Sequence, residues 1–330
     1  MTFKFGFKEV RTLGGGQFST VYEVLDEHHP TNSRRYALKV VEPDDERPPH
    51  NVRNECAIMT KLKQHKGVNS YSENVLRLIA EFTNPLEIGL LFPLYACTLS
   101  DVINHYCKRH TKFNVDGTLS KVTRNEMESH DIHHVIHHLL SGLNFIHSCG
   151  IIHRDINPNN IMFQGLDSLE PVIIDFGISY ELPTNNGLES PNLKFTDIAT
   201  GYFKAPELLL SVRNYSYEVD IWSMAIIIAL LCSNDGSVPF DEDSAHSDLA
   251  LLSNIVTVFG SPPKDWQDCK GSRTFHAMND SFFAKKPKPM SEILPRVVDF
   301  DQNIVDVFQG MTKYPSKERL TAKEALMKLK

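Results

Sequence analysis

Little in this sequence departs from an ordinary globular chain, and each shortage removes a class of function. Its 330 residues hold only six cysteines, scattered and without a CxxC pair, so reduced thiols are expected rather than a disulfide framework. There is no low-complexity tract, and hydrophobic and charged fractions of 41% and 23% are those of a folded domain. The longest apolar run, MAIIIALLC (224–232), is well short of the ~20 residues that span a bilayer. Basic residues are outnumbered, and a net charge of −7 argues against an extended nucleic-acid surface. The opening MTFKFGFKEV lacks a basic segment followed by an apolar core, so no secretory signal is expected. FFAKKPKP (282–289) is the strongest basic cluster and reads equally as a solvated loop. The expectation is a soluble intracellular domain, in cytoplasm, nucleus or both, with neither nucleic acid nor membrane as partner.

What the chain does have is a change of periodicity along its length. FGFKEVRTL (5–13), TVYEVLDEH (20–28) and RRYALKVVE (34–42) alternate as strands do, with a glycine-rich turn between the first two. PDDERPPH (43–50) is an acidic, proline-rich connector, and NVRNECAIMTKLKQH (51–65) has helical spacing with basic residues toward its end. VLRLIAEFT (75–83) and EIGLLFPLY (87–95) read as two further strands. From there helices dominate, at 98–109, 129–148, 218–233, 246–259, 303–312 and 321–329. No repeat and no long linker divides the chain. The simplest architecture is one α+β domain over 1–330, with a small sheet-rich lobe (1–94) and a larger helical lobe (95–330).

Five short stretches stand out for their chemistry and order. LGGGQFSTVY (13–22) places Gly14 and Gly16 in a G-x-G-x-x-S-x-V pattern, with Ser19 in the third slot. Glycine brings backbone N–H groups close to a phosphate with no side chain in the way, although a glycine turn in a hairpin has the same letters. A dinucleotide site needs a helix after the glycines; here a second strand follows. YALKV (36–40) sets Lys39 on the next strand, with Glu55 as candidate partner, although either alone reads as half of a surface ion pair. HRDINPNN (153–160) and IIDFG (173–177) space out Asp155, Asn160 and Asp175, and KAPELLL (204–210) follows. In this order, over nearly the whole chain, these stretches resemble the eukaryotic protein kinase domain.

That resemblance implies the bilobal kinase fold, with ATP and Mg²⁺ as cofactors. Leu13, Gly14, Gly16, Val21, Ala37 and Met162 would enclose the nucleotide, and Lys39 would hold its α- and β-phosphates while pairing with Glu55. LLFPLY (90–95) resembles the adenine hinge, with Phe92 at the back of the pocket. Pro93 fits a position that needs only a backbone C=O, which proline keeps, and Tyr95 would supply the next donor and acceptor. Asp155 would accept or orient the proton of the substrate hydroxyl, Asn160 and Asp175 would hold magnesium, and Thr200 would bridge toward Asp155. Asp220 would anchor the catalytic loop from the central helix, and Arg319 would pair with Glu207. NIVTVFGSPPKDW (254–266) resembles the insert of the cyclin-dependent and MAP kinase group.

Three departures shape the functional expectation. Asn157 stands where serine/threonine kinases carry a lysine against the γ-phosphate; asparagine can donate a hydrogen bond there but brings no charge. Losing one such charge costs on the order of 10²-fold in rate, and Lys39, Asp155, Asn160 and Asp175 remain. Counting back from Ala205–Glu207, Phe195 occupies the usual phosphothreonine position and Thr196 is out of register by one. Arg154 then lacks a phosphate partner, so Asp197 or another loop acid would substitute and no activation-loop phosphorylation would be needed. RPPHNVRNECAIMTKL, IIDFGISYEL, TDIATGYFKAPE and Ser19 together most resemble the monomeric CDK-activating kinases of the budding-yeast type. That likeness implies cyclin-dependent kinases as protein substrates, and a monomer that works without a cyclin.

The rivals are a cyclin-requiring CDK-like kinase, and a pseudokinase scaffold whose only support is Asn157. SHDIHHVIHHLL (129–140) pairs His133 with His137 and His134 with His138 at i,i+4, the spacing of a zinc helix. Metalloprotease helices add a glutamate after the first histidine and further ligands. Neither is evident, and the segment reads as the long helix leading into the catalytic loop.

Overall fold

The computed structural model describes residues 3–26, 34–65, 74–182, 188–241, 243–244, 247–297 and 301–329. Six strands form the N-terminal sheet: β1 (Phe3–Lys4), β2 (Phe7–Gly15), β3 (Ser19–Leu25), β4 (Arg35–Val41), β5 (Ala80–Thr83) and β6 (Ile88–Pro93). Their spatial order is β1-β2-β3-β4-β6-β5, antiparallel throughout. The short β1 makes Lys39 a residue of the fourth strand rather than the third. Residues 27–28, which the alternation extends into β3, and residue 246 of the helix expected over 246–259 lie outside the described residues.

The glycine turn contains a distinction the motif hides. A Cβ on Gly14 would meet nothing within 4 Å, and on Gly16 only the Ser19 hydroxyl at 3.7 Å, whereas on Gly15 it would meet the Ser19 carbonyl oxygen at 2.7 Å. Gly15 closes the hairpin, and the two motif glycines keep space open.

Among the described residues the N-lobe has one helix, α1 (Val52–Gln64), capped by Asn51, whose side chain accepts from the Asn54 N–H at 3.0 Å. Its apolar face, with Val52, Ile58, Met59 and Leu62, is buried against the sheet and brings Glu55 inward with it. Only residues 80–83 of the stretch read as a strand over 75–83 join the N-terminal sheet. Val75 instead bridges Ile173 in parallel, and Leu76 N–H donates to the Ile173 carbonyl at 2.9 Å. The close approach needs Gly142, where a Cβ would lie 2.8 Å from the Asn74 carbonyl.

Past the hinge, β7 (Cys97–Thr98) leads into α2 (Leu99–Tyr106). The helix expected to 109 stops at Tyr106, because β8 (Cys107–Phe113) and β9 (Leu119–Asn125) pair as an exposed hairpin. Its Asp116–Gly117 turn, with Gly117 at φ +79°, was the legible signal. Then α3 (Ser129–Ser148) runs into β10 (Ile151–Ile152), β11 (Ile161–Phe163), β12 (Val172–Ile173) and β13 (Tyr180–Glu181). The remaining helices are α4 (Pro206–Leu209), α5 (Glu218–Leu231), α6 (Asp248–Phe259), α7 (Arg273–His276), α8 (Met290–Ile293), α9 (Gln302–Met311) and α10 (Ala322–Leu329).

Every residue of α5 from Val219 to Leu231 is buried, so MAIIIALLC is the centre of the C-lobe core. Among the described residues no helix is long and apolar enough to cross a membrane. All six cysteines are unpaired, and burial pushes every thiol above its ordinary value, Cys56 and Cys232 to about 12.

Candidate active site

The two lobes enclose a cleft of about 510 Å³, and every residue expected to enclose a nucleotide lines it. Leu13, Gly14, Gly16 and Val21 come from β2, β3 and their turn, Ala37 and Lys39 from β4, and Glu55 from α1. Phe92, Pro93 and Tyr95 form the hinge wall, Met162 rises from β11, and Asn160 and Asp175 close the inner end. Val41, Leu76 and Ile174 also line it and went unnoticed, since an apolar strand residue carries no motif signal.

At the inner end Lys39 Nζ reaches Glu55 Oε1 at 2.9 Å, Glu55 Oε2 at 3.0 Å and Asp175 Oδ1 at 2.8 Å. Burial opposes charge on the Lys39 ammonium, but the Asp175 and Glu55 carboxylates outweigh it and raise its pKa. Burial likewise opposes charge on Asp175, yet Lys39 and the Gly177 N–H hold its carboxyl at about 2. The acid therefore stays ionised and ready for a hard cation. Phe176 is fully buried, edge-on to His153 at 4.9 Å, which keeps Asp175 turned to the cleft.

Asp155 is clamped on both oxygens. Thr200 Oγ1 donates to Oδ1 at 2.7 Å, and Asn160 Nδ2 donates to Oδ2 at 2.7 Å. The loop that carries it hangs on Asp220, which accepts from the backbone N–H groups of His153 and Arg154 at 2.8 Å each and stands 2.9 Å from His147 Nε2. Arg154, Asp175 and Ala199 hold left-handed backbone at φ +71°, +64° and +61°. Each such residue costs on the order of 1–3 kcal/mol, a strain that persists only where surrounding contacts over-determine the chain. At the C-lobe base Arg319 makes a two-pronged buried pair with Glu207, at 2.6 and 2.8 Å.

Asn157 is not aimed where its position in the motif had put it. It is buried, its Oδ1 accepts from the Asn159 N–H at 2.9 Å, and its Nδ2 donates to the Asp155 carbonyl at 3.2 Å. It caps the tight turn Pro158–Asn160 and braces the loop instead of donating toward a phosphate. Arg47 and His50, from the connector before α1, line the polar pocket that Asp155, Asp175 and Thr200 share beside the cleft. Sequence reasoning passed over both, because the connector gave no signal of folding back over the loop.

The partner of Arg154 is Glu189, not Asp197. Arg154 Nη1 reaches Glu189 Oε1 at 2.7 Å and Oε2 at 2.9 Å, and both residues are buried. Glu189 also accepts from the Phe195 N–H at 2.7 Å, so it ties the activation segment to the catalytic loop. Lys194 lies buried against the rings of Tyr180 and Tyr215, at 5.5 and 5.0 Å. Asp197 is fully exposed and pairs with Lys204 at 3.3 Å. With a carboxylate already on Arg154, Thr196→Ala is expected to keep activity within about two- to threefold. Loss of activity in a folded, ATP-binding Thr196→Ala protein, read by steady-state assay, would contradict it.

Residues 7–329 match the protein kinase domain. The chain belongs to the protein kinase family. It is 28% identical to the serine/threonine-protein kinase CAK1 of Saccharomyces cerevisiae, over 90% of this chain and 93% of that one. Cyclin-dependent kinase 7 of Caenorhabditis elegans is 26% identical over 97% of this chain and 85% of its own. The mitogen-activated protein kinase HOG1 of Kluyveromyces lactis is 30% identical over 61% of this chain and 41% of its own. This is a serine/threonine protein kinase of the cyclin-dependent and mitogen-activated group, with the bilobal fold its motifs implied. Protein kinase domains in general use ATP and Mg²⁺. The donor set here suits them: a strongly acidic carboxylate, an amide oxygen and a glycine turn with open space in front of it.

Proposed function

We infer that this kinase transfers phosphate from ATP to the activation-loop threonine of cyclin-dependent kinases, as a single domain over 1–330 and without a cyclin. The observation that carries this reading is the buried Arg154–Glu189 pair. In a kinase that waits for an upstream enzyme the catalytic-loop arginine is met by a phosphate; here the chain's own carboxylate meets it. Such an enzyme suits the head of a phosphorylation relay. The similarity to CAK1 over nine-tenths of the chain and the Lys39–Glu55 pair formed in the isolated chain support the same reading.

In this reading Lys39 and the glycine turn hold the phosphate chain of ATP, with the hinge carbonyl of Pro93 and backbone of Tyr95 against the adenine. Asn160 and Asp175 hold magnesium, which when bound neutralises charge on the phosphates. Asp155, clamped by Thr200 and Asn160, accepts the proton of the incoming threonine hydroxyl. Asn157 keeps that loop in shape. A folded protein is the substrate, so recognition runs through docking surfaces as well as the residues around the target threonine.

The test mixes the purified chain with Mg²⁺, labelled ATP and a catalytically inactive cyclin-dependent kinase, then maps phosphate by mass spectrometry, with the Asp175→Asn enzyme as blank. Label on the target's activation-loop threonine, with no cyclin added, is expected. Label only on generic acceptors such as casein would retain the kinase and reject this substrate. No label without a cyclin, but label with one, would favour the cyclin-requiring alternative.

A further inference from the structure

We propose that the kinase carries a zinc-class metal site on the outside of its C-lobe, formed by His134, His138 and Glu170, apart from the catalytic cleft. His134 and His138 stand four residues apart on α3, hence on one face of the helix. The third donor comes from the segment entering β12, which the sequence of the helix could not disclose. His134 Nε2 is 3.0 Å from Glu170 Oε1, His138 Nδ1 is 3.4 Å from Glu170 Oε2, and all three donor atoms lie within 4.8 Å of one another. The other pair differs: His133 Nε2 lies 3.2 Å from the Leu329 carbonyl of α10 and belongs to helix packing.

Geometry and chemistry agree on the ion. A tetrahedral zinc with ligands at about 2.0–2.1 Å needs donor atoms about 3.3 Å apart. The two histidine–carboxylate separations bracket that value, and the two imidazole donors, within 4.8 Å of each other, close on an ion by side-chain rotation. Two imidazole nitrogens and one carboxylate form a borderline donor set, which favours Zn²⁺ over the all-oxygen preference of Mg²⁺. The side chains are 42%, 29% and 60% exposed, so the ion has access from solvent.

Asn74 is buried and donates from Nδ2 to the Pro171 carbonyl at 3.0 Å; its Oδ1 lies 3.3 Å from His138 Nδ1, the same ring nitrogen that faces Glu170, so an ion bound there takes the place of that contact. The backbone carbonyl of Asn74 accepts from Ile173 N–H at 2.9 Å. Metal here would cross-link α3 to the root of β12, the strand that delivers Asp175 two residues after Ile173. The role is structural bracing of the C-lobe, independent of the substrate proposed above.

Zinc chloride is titrated by calorimetry into metal-stripped full-length Asp175→Asn protein, which removes the main cleft ligand for a competing ion. One zinc per chain is expected, with a rise in melting temperature. His134→Ala and Glu170→Ala, at accessible positions where folding is preserved, are each expected to weaken binding about tenfold or more and to abolish the thermal gain. His130→Ala, on the same helix but outside the cluster, should bind as the parent does. Absence of one-to-one binding would overturn the site, and so would binding that His134→Ala and Glu170→Ala leave unchanged.

Discussion

Asp155→Ala is expected to lower kcat by about 10²–10⁴-fold, the range for loss of a positioned general base, while ATP affinity stays unchanged. The separation of the two effects follows from placement. Asp155 lies in the polar pocket beside the cleft, whereas Lys39, the hinge and the glycine turn line the cleft itself. Both Asp155 oxygens already carry a donor, so the carboxylate enters the reaction in a fixed orientation and loses little freedom at the transition state. The measurement is single-turnover transfer of labelled phosphate beside equilibrium binding of a non-hydrolysable ATP analogue. An Asp155→Ala enzyme that retained a tenth of parental kcat would show that the loop geometry has been assigned the wrong chemistry.

Glu189→Ala should be the most damaging change away from the reacting atoms. It leaves the Arg154 guanidinium buried with its principal countercharge removed, a situation that costs about 3–5 kcal/mol. For a chain of this size that corresponds to a drop of roughly 4–7 °C in melting temperature. Activity falls with it, because the Phe195 N–H loses its acceptor and the segment that presents Thr200 is released from the catalytic loop. Glu189→Gln separates charge from shape: it keeps an acceptor for Arg154 and Phe195 but no charge, so it should fall between parent and alanine variant. Scanning calorimetry and peptide kinetics on the three proteins decide the matter. Equal stability of parent and Glu189→Ala would mean that Arg154 is held by Tyr215 and the Ile178 carbonyl alone.

What was legible in the sequence is what local chain geometry sets. The glycine turn, Lys39 on a strand, and the Asp155–Asn160 and Asp175–Gly177 turns are each built within a few residues, so spacing alone reveals them. The long helices were equally plain where one face or the whole surface is apolar, as in α3 and α5. What stayed hidden depends on partners far along the chain. Glu189 on Arg154, Glu170 beside two histidines of α3, and Asn74 against Ile173 each join segments that no periodicity relates. Val75 and Leu76 alternate like a strand with the residues after them but pair across to β12, because Gly142 lets the chain at Asn74 approach the C-lobe. Asn157 shows the opposite limit: its position in a motif was read correctly, yet its side chain answers to the turn it caps.

The buried thiols have a consequence for chemistry outside phosphate transfer. Peroxide and alkylating reagents attack the thiolate, and a thiol held above its ordinary pKa supplies almost none at neutral pH. Even Cys97, beside Thr98 on the cleft wall, is buried and shifted this way. The five buried cysteines are thus not poised as oxidant sensors, which leaves half-buried Cys107 as the most accessible thiol, and the nucleotide cleft offers no ready anchor to cysteine-directed covalent inhibitors.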